Sequence, residues 1–357
     1  LNPNRYSQHV ALSLFLLVLS NFVWGNCITV AKVLGQSSFL TTPFFARIRR
    51  FAYSLKMDNA LLNSALLGGI FALSAAFLWA LASLWFSRLG KYLPVVQINL
   101  LKGFLAIAIL GVILALSGGS LAALPLQPML MLIISGIIGI TIGDTAYLKT
   151  LQSLGPRRTL LLANLAPPMV GLIAWAFLEE RLVLQAWLGI FLTLAGITWV
   201  ILERTQEENR LTNLRRGLFF GFLAALCQSV AVVLSRAALT RSPIDALQST
   251  IVRLGAAILV LALWSLAKRQ PLVAWRPLVT QPRLAIWLIT ATILGTVLAM
   301  WLQQIAIDLT PVGIVQTLLS TSPLFILPIV ALQGEQISPR AVAGALVALL
   351  GVALLYL

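Results

Sequence analysis

Acidic residues, histidine and cysteine are scarce in this chain of 357 residues. It contains 10 Asp and Glu together, one histidine and two cysteines. Zinc proteases use several histidine and carboxylate ligands, and no HExxH sequence surrounds His9. ATP-driven proteins carry a Walker sequence, and none is present. Cys27 and Cys227 lie in apolar runs, where cysteine acts as a small hydrophobic residue. The sequence therefore favours no enzyme, cofactor, metal or disulfide.

Charge of either sign is rare, whereas long apolar runs are frequent. Charged residues make up 10% of the chain and hydrophobic residues 60%, and the mean hydropathy is +0.97. A helix needs about 20 apolar residues to cross a bilayer, and barrel strands would instead alternate. The runs predict an all-α polytopic membrane protein with ten transmembrane helices, near 67–87, 94–117, 128–150, 157–178, 183–202, 216–236, 244–267, 284–307, 311–333 and 339–357.

Lysine and arginine are concentrated in the short links, although the net charge is +15. Basic loops beside a membrane set orientation and contact anionic lipid head groups, so we expect a lipid partner and no nucleic acid. Most of these residues follow spans one, three, five, seven and nine. The positive-inside rule would place the 203–216 link in the cytoplasm and both ends of the core outside.

The second half of the core repeats the first. The matching pairs are Gly69 with Gly217 and Arg88 with Arg236 at an offset of 148, Lys102 with Arg253 at 151, Gly139 with Gly295, Pro167 with Pro323 and Glu179 with Glu335 at 156, and Gly189 with Gly344 at 155. We therefore expect two five-helix repeats, 57–202 and 216–357, joined by a linker at 203–215. Because five is odd, the repeats are inverted in the membrane. Inverted repeats that alternate around a midplane site are typical of transporters.

Three stretches carry a family resemblance: "GDTAYLKTLQSLGPRRTLLLANLAPPMVGLIAWAFLEERL", "WLQQIAIDLTPVGIVQTLLSTSPLFILPIVALQGEQIS", and the glycine-spaced last helices "WLGIFLTLAGITWV" and "AVAGALVALLGVALL". The chain resembles the drug/metabolite transporter superfamily, in particular its EamA-type permeases with two five-helix repeats. The resemblance implies a secondary transporter, an exporter of small organic metabolites such as amino acids or drugs. It also implies a plasma (inner) membrane location with both ends inside, opposite to the charge count.

Several alternatives remain open at this point. The chain is either a carrier that works by alternating access or a facilitative, channel-like permease, with an intramembrane enzyme as a third class. Its expected partners are a small-molecule solute, the bilayer and protons, and it acts as a monomer or a homodimer.

Glu179 and Glu335 each follow the fourth helix of a repeat, where the family pattern has a glutamate. A carboxylate there can accept hydrogen bonds from the free N–H groups of the next helix and lies favourably in its dipole. The alternative is a role in gating or coupling.

Asp144 is the acidic residue that lies well inside a predicted span, three residues before Tyr147 on one helix face. An intramembrane carboxylate faces a cavity or a partner. Asp144 is therefore a substrate contact or proton acceptor, or else a buried partner of Lys102 or Arg253. Those two cations lie eight to ten residues inside spans two and seven. They either hold an anionic substrate group, or reach the interface, or pair with Asp144.

Prolines interrupt corresponding helices of the two repeats, at Pro167 and Pro323. Irregular backbone at membrane depth survives where protein or a wet cavity receives it, and matched broken helices indicate the binding site. The candidate lining residues are Asn164, Gln316, Ser320 and Thr321 near these breaks, with Trp79, Tyr147, Trp301, Gln303 and Gln304 from neighbouring spans. For the aromatic residues, the alternative is packing against lipid or the core.

Residues 1–56 precede the core as an atypical apolar segment. Trp24 matches Trp79 at an offset of 55, as in an incomplete third copy of a repeat. We interpret the segment as upstream translation or a degenerate fusion. If it is made, 11–34 could form an extra span and 43–56 a basic interfacial helix.

Overall fold

The computed structural model describes residues 61–90, 92–121, 124–203, 214–269, 275–332 and 338–355. The predictions for residues 1–56 and for Glu335 fall outside these ranges. Within them every regular element is a helix, so the all-α prediction is confirmed.

Ten apolar helices, α1 to α10, form the described core. They are Leu61–Leu89 (α1), Val95–Leu116 (α2), Leu126–Thr150 (α3), Thr159–Leu178 (α4), Leu184–Glu203 (α5), Leu214–Thr240 (α6), Ala246–Ala267 (α7), Pro282–Leu309 (α8), Val312–Leu319 with Ser322–Leu332 (α9), and Pro339–Leu354 (α10). The first eight are long and apolar enough to cross a membrane, and the last two are shorter apolar helices. A short helix, Trp275–Thr280, precedes α8.

The chain reverses direction between α3 and α4 even though helical backbone continues through Asp144–Ala163. A methyl group added to Gly221 on α6 would lie 3.1 Å from both Thr150 Cγ2 and Leu162 Cβ. Twelve residues of straight helix would hold those two side chains about 18 Å apart. The change of direction therefore lies between these two residues.

The two halves pack on each other in an exchanged pattern. Helix α1 packs on α8 and α9 of the second half, and α6 packs on α3 and α4 of the first. Helices α2 and α7 contact each other, and so do α5 and α10. This exchange of equivalent partners is the packing that a two-fold relation between repeats produces. With five spans in each repeat, the second repeat enters the membrane from the opposite face.

Contacts between helices correct the predicted alignment offset between α1 and α6. Gly139 meets Ala231 and Gly295 meets Ala82, with 2.7 and 2.6 Å from the respective added methyl positions to the alanine Cβ atoms. Since Gly139 and Gly295 are equivalent, Ala82 corresponds to Ala231 at an offset of 149. The predicted offset of 148 in α1 and α6 is therefore wrong by one residue. Arg88 lies over the Trp287 ring at the surface.

The broken helices α4 and α9 match closely. Helix α4 breaks at Asn164 and resumes as Ala166–Leu178, and α9 breaks at Ser320 and resumes as Ser322–Leu332. Pro167 and Pro323 are each the second residue of the resumed helix, a position where the missing N–H removes no helical hydrogen bond.

Two π-helical stretches were not predicted. They are Ile137–Gly143 in α3 and Thr292–Leu298 in α8, which occupy equivalent positions of the two repeats. Such wide turns are rare and are found frequently at functional sites. Here each one faces the first helix of the other repeat, through Gly139 and Gly295.

Candidate functional site

A cavity of about 420 Å³ lies between the two repeats. Its described lining comes from α1, α2, α3, α4, α6, α7, α8 and α9. The side chains that carry polar groups are Trp79, Ser83, Lys102, Asp144, Tyr147, Thr150, Thr159, Asn164, Gln228, Arg253, Thr296, Gln303, Gln316, Ser320 and Ser322. The remaining lining residues are apolar or glycine, so the site combines apolar wall with polar groups, as ligand sites generally do.

Two cations and one carboxylate lie in this lining. Lys102 comes from α2, Arg253 from α7 and Asp144 from the first turn after the π-helical stretch of α3. In the described part of the chain, no nitrogen of either cation lies within 4.0 Å of the Asp144 carboxylate. Lys102 Nζ instead lies over the Phe86 ring, 5.3 Å from its centre. The structure therefore brings these three groups together around space rather than in a closed ion pair.

Buried polar atoms without partners surround the same space. Arg253 is only 3% exposed and Gln316 8%. Arg253 Nε and Gln316 Oε1 have no hydrogen-bond partner among the described atoms. Leaving a buried donor or acceptor unpaired costs about 1–3 kcal/mol, and more for a charged group. Both residues also line the cavity, so the unpaired atoms belong to side chains that border it.

The uncharged residues near the helix breaks have mixed roles. Asn164 Nδ2 donates to Thr198 Oγ1 of α5 at 3.3 Å. Ser320 Oγ donates to the Gln316 carbonyl at 3.0 Å. Thr321 is buried and its hydroxyl donates to the Leu318 carbonyl. The first two also line the cavity, whereas Thr321 is outside its described lining.

Repeat symmetry is broken at Asp144. The offset of 156 pairs Tyr147 with Gln303, and all of Lys102, Arg253 and this pair line the cavity. The same offset pairs Asp144 with Met300, which also lines it. The described cavity thus has one cation from each repeat but a carboxylate from the first repeat alone.

Besides Thr321, two more of the predicted lining residues lie elsewhere. Trp301 is buried in an apolar cluster with Leu254 and Val297. Gln304 Oε1 accepts hydrogen bonds from Ser235 Oγ at 2.5 Å and Ser249 Oγ at 3.0 Å, so it joins α6, α7 and α8. Gln303, one residue earlier, faces the cavity because one residue turns a helix by about 100°.

The prolines and glutamates predicted as structural hallmarks lie at different distances from the cavity. Pro167 is buried but does not contact the cavity, whereas Pro323 does. Glu179 is exposed and ends α4 in the left-handed conformation, with φ 59°. At the offset of 155 that holds in α5 and α10, Glu179 corresponds to Gly334 and Glu180 to Glu335. Glycine is the usual residue at such a helix end.

Glu180 has the capping role that was predicted for Glu179, but on another helix. Its Oε2 accepts from the Val312 N–H at the start of α9, at 3.0 Å. Its Oε1 accepts from Arg236 Nε at 2.6 Å. Arg236 Nη1 also donates to the carbonyls of Ile307 and Asp308 at the end of α8. We call Glu180, Arg236 and these backbone groups the Glu180 junction. It joins the two repeats on one face of the membrane.

Glu180→Gln is expected to destabilise the protein by roughly 2–3 kcal/mol, because a half-buried arginine and a helix N-terminus lose their carboxylate. Glu179→Gln is the matched control and should stay within about 0.5 kcal/mol, since its side chain is exposed. Thermal unfolding in detergent measures both. Equal effects of the two substitutions would contradict the assignment of the junction to Glu180.

Comparison with known proteins supports the same architecture. The model of the "EamA-like transporter family" matches residues 66–202 and again 215–357. One solved structure, titled "Crystal structure of protein", has a TM-score of 0.67 and 21% identity, covering 80% of this chain and 95% of that one. At this identity, the likeness shows the fold. No curated protein matches the chain. With both halves matched by one transporter model, the chain belongs to the EamA-like transporter family and is a multi-pass membrane protein of transporter type.

Proposed function

We propose that the protein is a secondary transporter that exports small organic metabolites, such as amino acids or drugs, across the plasma (inner) membrane. The observation that carries the proposal is the cavity between the repeats, which eight helices line in equivalent pairs. A carrier that alternates between two states needs such a site, because equivalent helices then exchange roles when access changes. A monomer contains the whole cavity, and a homodimer would leave it unchanged.

The contacts around the cavity support a state closed on one face. The face that carries the α4–α5 and α6–α7 links is held by the Glu180 junction and by Thr310 Oγ1, which donates to the Ala65 carbonyl at 2.9 Å. The α6 residues that line the cavity, from Gly221 to Gln228, lie in its first half, toward the 204–213 link. Access from the face that carries the α4–α5 and α6–α7 links requires the Glu180 junction to separate.

Flux in proteoliposomes tests the proposal. With purified full-length protein and a panel of labelled organic anions, amino acids and cationic dyes, we expect at least one solute whose uptake saturates and is accelerated by the same unlabelled solute on the opposite side. Acceleration from the opposite side requires a site that alternates, because a pore has no loaded return step. Flux that stays linear with concentration would favour the channel-like alternative, and chemical conversion of a solute would favour an enzyme.

Proton coupling through Asp144 is part of the proposal. Asp144 lies in the cavity with two cations, and the π-helical stretch next to it places it at the junction of two helix geometries. A carboxylate at membrane depth is costly and is retained where it serves a pathway or a relay. Transport by the Asp144→Asn variant under a pH gradient tests this role.

A further inference from the structure

The charges in the cavity do not balance. Lys102 and Arg253 contribute two positive charges, and Asp144 contributes the negative charge of the described lining. The formal charge is therefore +1 when all three are ionised. A charge held away from water is costly unless it is paired. The cavity without a solute lacks one anionic group.

The position and chemistry of Arg253 suit the binding of an anionic group. Its side chain is almost entirely buried, yet its Nε has no partner among the described atoms. The helix opposite carries Gly139, and Arg253 Nη2 lies 3.9 Å from the position of an added methyl group there. The same position lies 2.7 Å from Ala231 Cβ, so glycine allows α3 and α6 to pack closely beside the guanidinium. The guanidinium has a fork of donors that matches a carboxylate or a phosphate.

The two cations occupy equivalent depths measured from opposite faces. Lys102 is seven residues from the start of α2, and Arg253 is seven residues from the start of α7. At 1.5 Å per residue, each lies about 10 Å inside its end of the helix. Helices α2 and α7 pack against each other and belong to inverted repeats. A negative group can therefore be held by a cation on either side of the midplane.

We propose that the substrate is a monoanionic organic solute with an apolar body, whose negative group binds between Lys102 and Arg253. This inference rests on the proposed transporter function and names its substrate class. The apolar body lies against Trp79, Leu160 and Ile326. A zwitterion does not balance the cavity, because its cationic group cancels its own anion and leaves the excess charge. When no proton moves with it, a monoanion is driven outward by an inside-negative membrane potential, which agrees with export.

The test compares ligands of one shape and different charge. The full-length protein, in nanodiscs of phosphatidylcholine, is unfolded by heat in the presence of 3-phenylpropionate, its amide, phenylethylammonium or phenylalanine. We expect 3-phenylpropionate to stabilise most, with an apparent Kd about tenfold or more below that of the amide, because hydrogen bonds from charged donors are the strong ones. Addition of phosphatidylglycerol to the nanodiscs asks whether a lipid head group competes for the same cations.

Variants connect the effect to the cavity. Arg253→Gln and Lys102→Gln should each weaken 3-phenylpropionate binding about tenfold or more, and Arg253→Lys should weaken it less than Arg253→Gln, because the charge remains but the fork of donors is lost. Asp144→Asn should strengthen it, because the remaining lining charge becomes +2. Lys149→Gln is the matched control. Lys149 is exposed, lies over the Phe220 ring and is absent from the described lining, so its loss should change nothing.

Three results would overturn the inference. The first is that the amide, the ammonium compound or phenylalanine stabilises the protein as much as 3-phenylpropionate or more, or that none of the four compounds stabilises it. The second is weaker anion binding in Asp144→Asn, which would assign Asp144 to a solute cation. The third is loss of the anion effect in phosphatidylglycerol nanodiscs, which would assign the cations to a lipid head group. Anion binding without flux in vesicles would instead contradict the transporter function and leave the binding assignment standing.

Discussion

Gly196→Leu is expected to prevent assembly of the two repeats, or to destabilise them by about 3 kcal/mol or more. Helices α5 and α10 meet along a seam of four glycines, Gly189 and Gly196 on α5 with Gly344 and Gly351 on α10. A methyl group at position 196 would lie 2.5 Å from the Gly344 carbonyl oxygen and 2.8 Å from Ala348 Cα. These are backbone atoms, so no side-chain rotation relieves the contact and the helices must separate.

The size of this effect follows from the lipid environment of the helices. Apolar side chains gain little by leaving lipid for protein, so helix association in a bilayer depends on close packing and small residues. Overpacking costs typically 1–3 kcal/mol even where side chains can adjust. Gly351 makes the equivalent contact, with 2.8 Å from its added methyl position to the Gly189 carbonyl oxygen. We therefore expect Gly351→Leu to have a similar effect.

Gly255→Leu on α7 is the matched control. A methyl group there meets no described atom within 4 Å, so the substitution should leave the monodisperse fraction in detergent and the unfolding temperature nearly unchanged. Gly196→Ala should lie between the control and Gly196→Leu. If Gly196→Leu and Gly255→Leu yield the same amount of folded protein by size-exclusion chromatography, the α5–α10 seam does not hold the repeats together.

The spans and the repeat could be predicted because they depend on composition. Charged residues interrupt most apolar runs where the chain leaves the bilayer, and Gly118 and Gly119 mark the end of α2, so its predicted ends, 94 and 117, each lie within one residue of Val95–Leu116. The prolines that break α4 and α9 are also visible in sequence, and both lie at the same helical position. These features need no knowledge of which helix faces which.

The faces of the helices were harder to predict. Lipid and the protein interior are both apolar, so hydrophobic periodicity does not say which side of a span faces a cavity. Gln303 and Gln304 are adjacent, yet the first faces the cavity and the second binds Ser235 and Ser249. An error of one residue in aligning the repeats has the same consequence. It matched Glu179, rather than Glu180, with Glu335.

The sequence next to Glu335 contains a signal that identifies the correct alignment. Gly334 precedes Glu335 in the second repeat, and a glycine at a helix end marks a left-handed residue. Alignment of that glycine with Glu179 gives the offset of 155 already seen in α5 and α10. The π-helical stretches are different, because Ile137–Gly143 and Thr292–Leu298 contain ordinary apolar residues and glycine. Their wide turns arise from packing, which sequence composition does not encode.

Asp144→Asn is expected to abolish the response of transport to a pH gradient while retaining solute binding and exchange. The groups that share the cavity with Asp144 are Lys102 on α2, Arg253 on α7 and Tyr147 on its own helix. Protonation of Asp144 removes the negative charge that competes with a solute anion for the two cations. By linkage, proton and anion each favour the binding of the other, so a coupled cycle moves both in one direction and exports the anion only when its outward gradient exceeds the inward proton gradient.

The asparagine side chain has nearly the size of aspartate and cannot be charged, so the variant resembles the protonated form at every pH. In proteoliposomes with 3-phenylpropionate, or with the solute identified in the flux screen, we expect wild-type uptake to rise as the side of entry is acidified. The transport rate of Asp144→Asn should stay near the rate that the wild type reaches at acidic pH, without accumulation against a gradient.

Lys149→Gln should behave as the wild type, because it alters an exposed charge five residues away. If a folded Asp144→Asn protein still accumulates solute in response to pH at the wild-type rate, Asp144 does not carry the proton. The membrane potential acting on the anion would then be the driving force.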